Sequence, residues 1–179
     1  VDLIGVVGDG DLAGQKLFLM LQQNGISTKG LIKSQERVTI CKRRIMASGG
    51  QQLLRIDSEN DKSLSEEEAL QVLSKIDELV TSESIILASD YLKGVLTDQI
   101  LSEIIQIAKQ RGSLVLIDPK GKSFNKYYGA DYIKPNYKEY CQMLEFYGLS
   151  PHESITKNGR KSCELLGLGG LVVTLEERG

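Results

Sequence analysis

The sequence predicts an α/β fold, a three-layer sandwich with a mostly parallel sheet and one added β-hairpin, and three observations carry that expectation. Short apolar runs of strand length alternate with amphipathic stretches of helix length along the chain, as they do where crossover helices cover both faces of a parallel sheet. Glycines and acidic residues cluster where the apolar runs stop, the places where such units turn. One stretch, about 37–57, breaks the alternation with two strand-like runs around Ser48-Gly49-Gly50, a natural hairpin turn.

Val1-Asp2-Leu3-Ile4-Gly5-Val6-Val7 reads as a buried strand, and Gly8-Asp9-Gly10-Asp11 supplies its turn and the cap of a helix. In that helix Ala13, Leu17, Met20, Leu21 and Asn24 share a face, and Gly25 closes it. Arg37 to Ala47 and Gln51 to Asp57 form the hairpin strands. Glu66 to Leu79 is a helix with Ala69, Val72, Leu73 and Ile76 on one stripe. Strand Ile85-Ile86-Leu87-Ala88 precedes a helix carrying Ile100, Ile104, Ile107 and Ala108, and strand Leu114-Val115-Leu116-Ile117 follows. A short run Tyr132-Ile133-Lys134, helices around 137–147 and 153–166, and a strand Leu171-Val172-Val173-Thr174-Leu175 complete the reading. The first and last strands both read as core strands, so the sequence is expected to be cut from a longer domain at both ends.

Composition excludes several classes. The 179 residues are 41% hydrophobic and 26% charged with a net charge of −2, and Lys and Arg are dispersed, so nucleic-acid binding has no electrostatic footprint. No apolar run approaches the roughly 20 residues of a membrane helix, and no membrane partner is expected. Cys41, Cys141 and Cys163 are odd in number and free of CxxC spacing, which points to a reducing compartment rather than a disulfide framework or zinc site. Neither a GxxxxGK[ST] loop nor a GxGxxG turn occurs. His152 is the single histidine, so histidine triads and His-rich metal sites are out.

In parallel α/β sheets ligands bind beyond the carboxyl ends of the strands. Those ends carry Asp9 and Asp11, Ser89-Asp90-Tyr91, Asp118-Pro119-Lys120-Gly121, and Pro135-Asn136 with Glu139. Acids so placed hold magnesium or a sugar hydroxyl, and a lysine holds phosphate as a point charge; an Asp after a strand also serves as a plain helix cap. Asp9-x-Asp11 has the DxD spacing of aspartate-nucleophile phosphatases, with Asp9 as nucleophile, Asp11 as acid and Lys120 and Asp118 as later partners. The hairpin is cationic, with Lys42, Arg43, Arg44 and Arg55. It reads as a flap over a site, as a dimerisation surface, or as an edge whose charges block strand pairing.

Taken in order, these strings carry a resemblance. Leu3-Ile4-Gly5-Val6-Val7-Gly8-Asp9 through Ala13-Gly14 resembles the opening of ribokinase-type (PfkB) sugar kinases. Lys42-x-Arg44 leading to Gln51-Gln52-Leu53-Leu54-Arg55-Ile56-Asp57 resembles the KTR…QQLLRxD flap of the heptose 7-phosphate kinases. Ser89-Asp90-Tyr91-x-Lys93-Gly94 is similar to that family's SDYxKG. The run from Asp118-Pro119-Lys120-Gly121 through Phe124, Tyr127 or Tyr128, Gly129-Ala130 and Pro135-Asn136 to Glu139 is similar to its IDPKG…PNxxE block.

The resemblance implies that residues 1–179 are part of a ribokinase-like kinase domain with a lid hairpin at about 37–57. It implies transfer of the ATP γ-phosphate, with Mg2+, to the C1 hydroxyl of D-glycero-D-manno-heptose 7-phosphate, in ADP-heptose and lipopolysaccharide core synthesis. It places Lys42, Arg44, Gln52 and Arg55 near the sugar phosphate, and Asp90 and Lys93 between sugar and nucleotide. Lys120, Asn136, Glu139 and Thr174 fall on the nucleotide side, with Glu139 reaching the metal through water. A homodimer through the lid, a fused nucleotidyltransferase domain and a cytoplasmic location are further implications.

The chain departs from that pattern at three points. Arg43 stands where a small residue is expected, and the turn Ser48-Gly49-Gly50 is one residue longer than the family's. The GAGD segment, whose Asp is the family's catalytic base, does not occur in these residues; Gly167-Leu168-Gly169-Gly170 precedes a strand and holds no Asp. The chain alone is therefore expected to be inactive, and a non-catalytic binding or assembly module on a kinase scaffold is the alternative.

Overall fold

A computed structural model of the chain describes residues 1–175. The chain divides into two compact units, one of Val1–Leu79 with Lys93–Val95, the other of Val80–Leu92 with the residues from Leu96 onward.

In the first unit β1 (Asp2–Gly8) runs parallel to β2 (Ser27–Ser34), and α1 (Leu12–Gln23) connects them. Asp11 caps α1 by accepting the Gly14 amide at 2.6 Å, and its other oxygen accepts the Thr39 amide at 2.7 Å. The Thr39 hydroxyl accepts the Gly8 amide at 2.9 Å. One aspartate thus ties the turn after β1 to a segment 28 residues later. α2 (Glu66–Leu79) packs against β1 and β2 and buries Val72 and Ile76, the centre of the expected stripe.

β2 was not anticipated from the sequence. Its core face is Gly30, Ile32 and Ser34, with Leu31 and Lys33 between them, so the alternation is present but only one of the buried inward residues is apolar. Gly30 is there for close approach, since a Cβ would sit 2.7 Å from the Leu3 carbonyl oxygen.

The hairpin is β3 (Cys41–Met46) and β4 (Gln52–Ser58), antiparallel. Its first strand begins four residues later than expected. Arg37 is drawn off by three backbone carbonyls, Lys62 at 2.6 Å, Lys93 at 2.7 Å and Asn60 at 3.2 Å, and Thr39 is held by Asp11. Cross-strand partners share a face: Lys42, Arg44, Arg55 and Asp57 line one side, and Arg43, Ile45, Leu54 and Ile56 line the other.

In the second unit β5 (Ile85–Ser89), β6 (Leu114–Asp118), β7 (Tyr132–Ile133) and β8 (Gly170–Leu171) form a parallel sheet in that order. α3 (Asp98–Arg111) is capped by Thr97 and closed by Gly112 in the left-handed region, and it buries Ile100, Leu101, Ile104, Ile105 and Ala108. Ile107, expected on that stripe, is only half-buried. α4 (Tyr137–Phe146) and α5 (Ile155–Leu166) supply Tyr140, Met143, Leu144 and Leu166 to the core. Each large apolar side chain so buried contributes about 1.5–3 kcal/mol.

The last strand is shorter than expected. Beyond Leu171 the pairing is irregular because Pro135 has no N–H to donate; Thr174 instead donates to the Pro135 carbonyl at 3.1 Å, and the Thr174 carbonyl accepts the Tyr137 amide at 3.0 Å.

Candidate functional site

The carboxyl ends of β5 and β6 lie side by side, with Ser89 paired to Asp118, and the Asp90 amide donates to the Asp118 carbonyl at 3.0 Å. The Asp90 carboxylate is buried. Its Oδ1 accepts the Leu92 amide at 2.8 Å; its Oδ2 accepts the Tyr127 hydroxyl at 2.7 Å and the Lys126 ammonium at 2.5 Å. Leu92 has φ of 54°, a strained conformation for a residue with a Cβ. Tyr127 is fully buried, and burial pushes its hydroxyl pKa upward, with the Lys120 amide opposing and the Asp90 carboxylate adding to the rise.

Lys120 follows β6. Its ammonium pairs with Glu139 Oε1 at 2.7 Å, the lysine side chain 51% exposed and the glutamate 10%. The hydrogen bond to Glu139, then its charge, raises the Lys120 pKa. Glu139 does two tasks, since its Oε2 accepts the Asn136 amide at 3.0 Å while Asn136 Oδ1 accepts the Glu139 amide at 2.9 Å. This capping box satisfies the first amides of α4, and Thr174 bridges to Asn136 beside it. A lysine, a helix N-terminus and a single carboxylate therefore stand together, an arrangement suited to phosphate groups.

No group of three metal-ligating side chains occurs among the described residues. One carboxylate with both oxygens already engaged fits magnesium held mainly by phosphates and water, as this ion prefers.

In the first unit the cationic hairpin face is poorly neutralised. Arg44 stands directly opposite Arg55, and like charges so placed repel. Arg55 Nε contacts Asp57 at 3.1 Å. Lys93 binds Glu59 Oε1 at 2.6 Å, and Lys42 lies 3.9 Å from Glu59 Oε2. Gln52, paired with Met46, is exposed.

The expected site residues thus fall into two sets. Asp90, Lys120, Asn136, Glu139 and Thr174 are brought together at the strand ends of the second unit; Lys42, Arg44, Gln52, Arg55 and Lys93 belong to the first. Sequence reasoning gave no role to Glu59, Lys126 or Tyr127. Only contact in space reveals Glu59 and Lys126, while Tyr127 was visible merely as a motif position. The Thr39 and Gly14 amides lower the Asp11 pKa. Asp9 accepts the Gln35 side-chain amide at 2.5 Å.

Parallel βα units with a lysine and acids at their carboxyl ends, and an added cationic hairpin, define an α/β fold of the ribokinase-like kinase class. Phosphofructokinase-2 from Escherichia coli in complex with potassium superposes with a TM-score of 0.74 at 17% identity, over 98% of this chain and 55% of that one. The chain belongs to the pfkB family of carbohydrate kinases, which it matches over residues 1–178. It is similar to the bifunctional protein HldE of Wolinella succinogenes, 39% identical over 98% of this chain, and to that of Campylobacter fetus, 36% identical over all of it. The chain spans 36% and 38% of the length of those two relatives.

Proposed function

We propose that this chain carries the nucleotide-side residues and the sugar-phosphate lid of an ATP-dependent kinase acting on the C1 hydroxyl of D-glycero-D-manno-heptose 7-phosphate, in ADP-heptose and lipopolysaccharide core synthesis. The observation that carries the kinase reading is the Lys120–Glu139–Asn136 cluster at the N-terminus of α4 in a pfkB-family chain. The choice of sugar phosphate rests on the resemblance of the Lys42-to-Asp57 flap and is supported by Arg44 facing Arg55, a pair that a dianionic phosphate would neutralise.

Lys120 binds nucleotide phosphate as a point charge, and Glu139 orients it and accepts water from the metal shell. Magnesium, when bound, neutralises charge on the phosphates. Lys42, Arg44, Gln52 and Arg55 hold the sugar phosphate and exclude water. Phosphoryl transfer also needs a base on the accepting hydroxyl. With no GAGD segment in these residues, the chain by itself turns over little or no substrate.

Exposed Ile45, Leu54 and Ile56 on the opposite hairpin face support a homodimer through the lid. Similarity to proteins called bifunctional supports a fused nucleotidyltransferase domain. No described helix is long and apolar enough to cross a membrane, in keeping with a cytoplasmic protein.

The test is ADP release with heptose 7-phosphate, fructose 6-phosphate and ribose, on this chain and on the chain extended through its native flanks. Turnover only by the extended chain and only with the heptose supports the whole reading. Turnover with another sugar keeps the kinase and overturns the substrate. Silence from both favours a non-catalytic scaffold.

A further inference from the structure

Asp90 is closed off from any substrate hydroxyl by burial, its side chain only 2% exposed. Three donors, from Leu92, Lys126 and Tyr127, take most of its acceptor sites. The same tyrosine hydroxyl that donates to Asp90 accepts the Lys120 amide at 2.9 Å. A hydroxyl that donates in one direction and accepts from another is fixed in orientation, and Tyr127 cannot turn because its ring is wholly buried against Phe124, 5.5 Å between centroids. Lys126, its ammonium 5.2 Å from the Tyr127 ring centroid, closes the group and neutralises the buried carboxylate.

We propose that Tyr127 is a positioning residue: with Asp90 and Lys126 it forms a strut between the strained turn at Leu92 and the loop that carries Lys120, and Asp90 acts through this strut rather than by touching the sugar. The proposal rests on the reading of Lys120 as a nucleotide-phosphate residue. Its role follows from geometry. Lys120 reaches Glu139 with its ammonium while its backbone is pinned by Tyr127, so the side chain projects from a fixed base. Preorganisation of that kind matters for phosphoryl transfer, where placement and charge do most of the work.

The test is Tyr127→Phe in the native-length protein, read by amide hydrogen exchange and by steady-state kinetics. The Lys120 and Leu92 amides should exchange about tenfold faster or more while the rest of the second unit keeps its protection. The KM for ATP should rise about tenfold, the usual range for one lost hydrogen bond, with the KM for the sugar phosphate changed less than about twofold. Combined with Lys120→Met, the substitution should add nothing beyond the lysine variant alone. Asp90→Asn, a second route to the same strut, should expose the Lys120 amide although Asp90 does not touch it.

A uniform loss of protection across the unit with an unchanged KM for ATP would make Tyr127 merely structural and overturn the proposal. So would an Asp90→Asn variant that raises the KM for the sugar and leaves that for ATP alone. If the unmodified protein shows no ATP-dependent turnover, the kinase reading falls, and the exchange pattern by itself still supports or overturns the strut.

Discussion

Arg44 and Arg55 face each other across the β3–β4 ladder, and among the described residues only Arg55 has a carboxylate against its guanidinium, Asp57 at 3.1 Å. A directly opposed pair of like charges weakens a hairpin by a few tenths of a kcal/mol. Retaining both is understandable if an anion sits between them. Arg44→Ala should therefore leave thermal stability unchanged or slightly raised, and should raise the KM for the sugar phosphate about tenfold or more. Arg44→Lys should recover only part of the loss, because an ammonium lacks the fork that matches phosphate. Paired melting curves with and without sugar phosphate check both statements.

Glu139 raises the Lys120 pKa, first by its hydrogen bond and then by its charge. A lysine whose folded pKa lies above its ordinary 10.5 contributes stability that is fully present below 10.5 and is lost as pH rises through the higher folded value. Glu139→Gln should lower the Lys120 pKa and move the alkaline loss of ATP binding to lower pH. Nζ-adjacent carbon shifts in an NMR titration measure the first effect, and nucleotide binding above pH 9 or so measures the second.

Asp11 shows the opposite sign. The Thr39 and Gly14 amides lower its pKa from 3.8, so its contribution is present above that value and lost as pH falls through the lowered one. Asp11→Ala removes a helix cap and leaves the Thr39 amide without its acceptor, and should cost about 1–2 kcal/mol at neutral pH. The gap between the two proteins should close on acidification below pH 3.8, as acid denaturation curves will record. Activity assays for phosphatase chemistry should detect none that depends on this residue.

How far the sequence alone reaches is visible element by element. α2 was expected at the bounds it adopts, since four apolar positions at helical spacing outweigh everything else in that window. Asp90, Lys120 and Glu139 were legible at the strand ends of the second unit because acids and a lysine recur after successive apolar runs, whereas Thr174 entered only through the family resemblance. β2 was not legible, because its inward Gly30 and Ser34 are small or polar and mask the period of two. Glu59, Lys126 and Tyr127 were invisible as partners for another reason. Glu59 meets Lys93 across 34 residues, and Asp90 meets Lys126 across 36, separations over which local pattern carries no information. The surroundings of Asp90 also needed the fold, since only contact in space shows its burial and its three donors.

Gly94 closes the Ser89-to-Gly94 motif, where a family pattern invites a substrate role, yet its surroundings assign it a structural one. Its φ is +80°, and a Cβ would overlap the Lys62 carbonyl, while its own carbonyl accepts the Leu64 amide at 3.1 Å. Backbone strain and a clash with backbone act together, and neither can be relieved by turning a side chain. Gly94→Ala should therefore destabilise the protein by about 2 kcal/mol or more, and any fall in activity should track the unfolded fraction. Gly49→Ala is the control, since a Cβ there meets open space and should change stability by less than about 0.5 kcal/mol. Urea unfolding of both variants decides the matter: an alanine at position 94 that folds as stably as glycine, yet loses sugar affinity, would make this glycine a substrate contact instead.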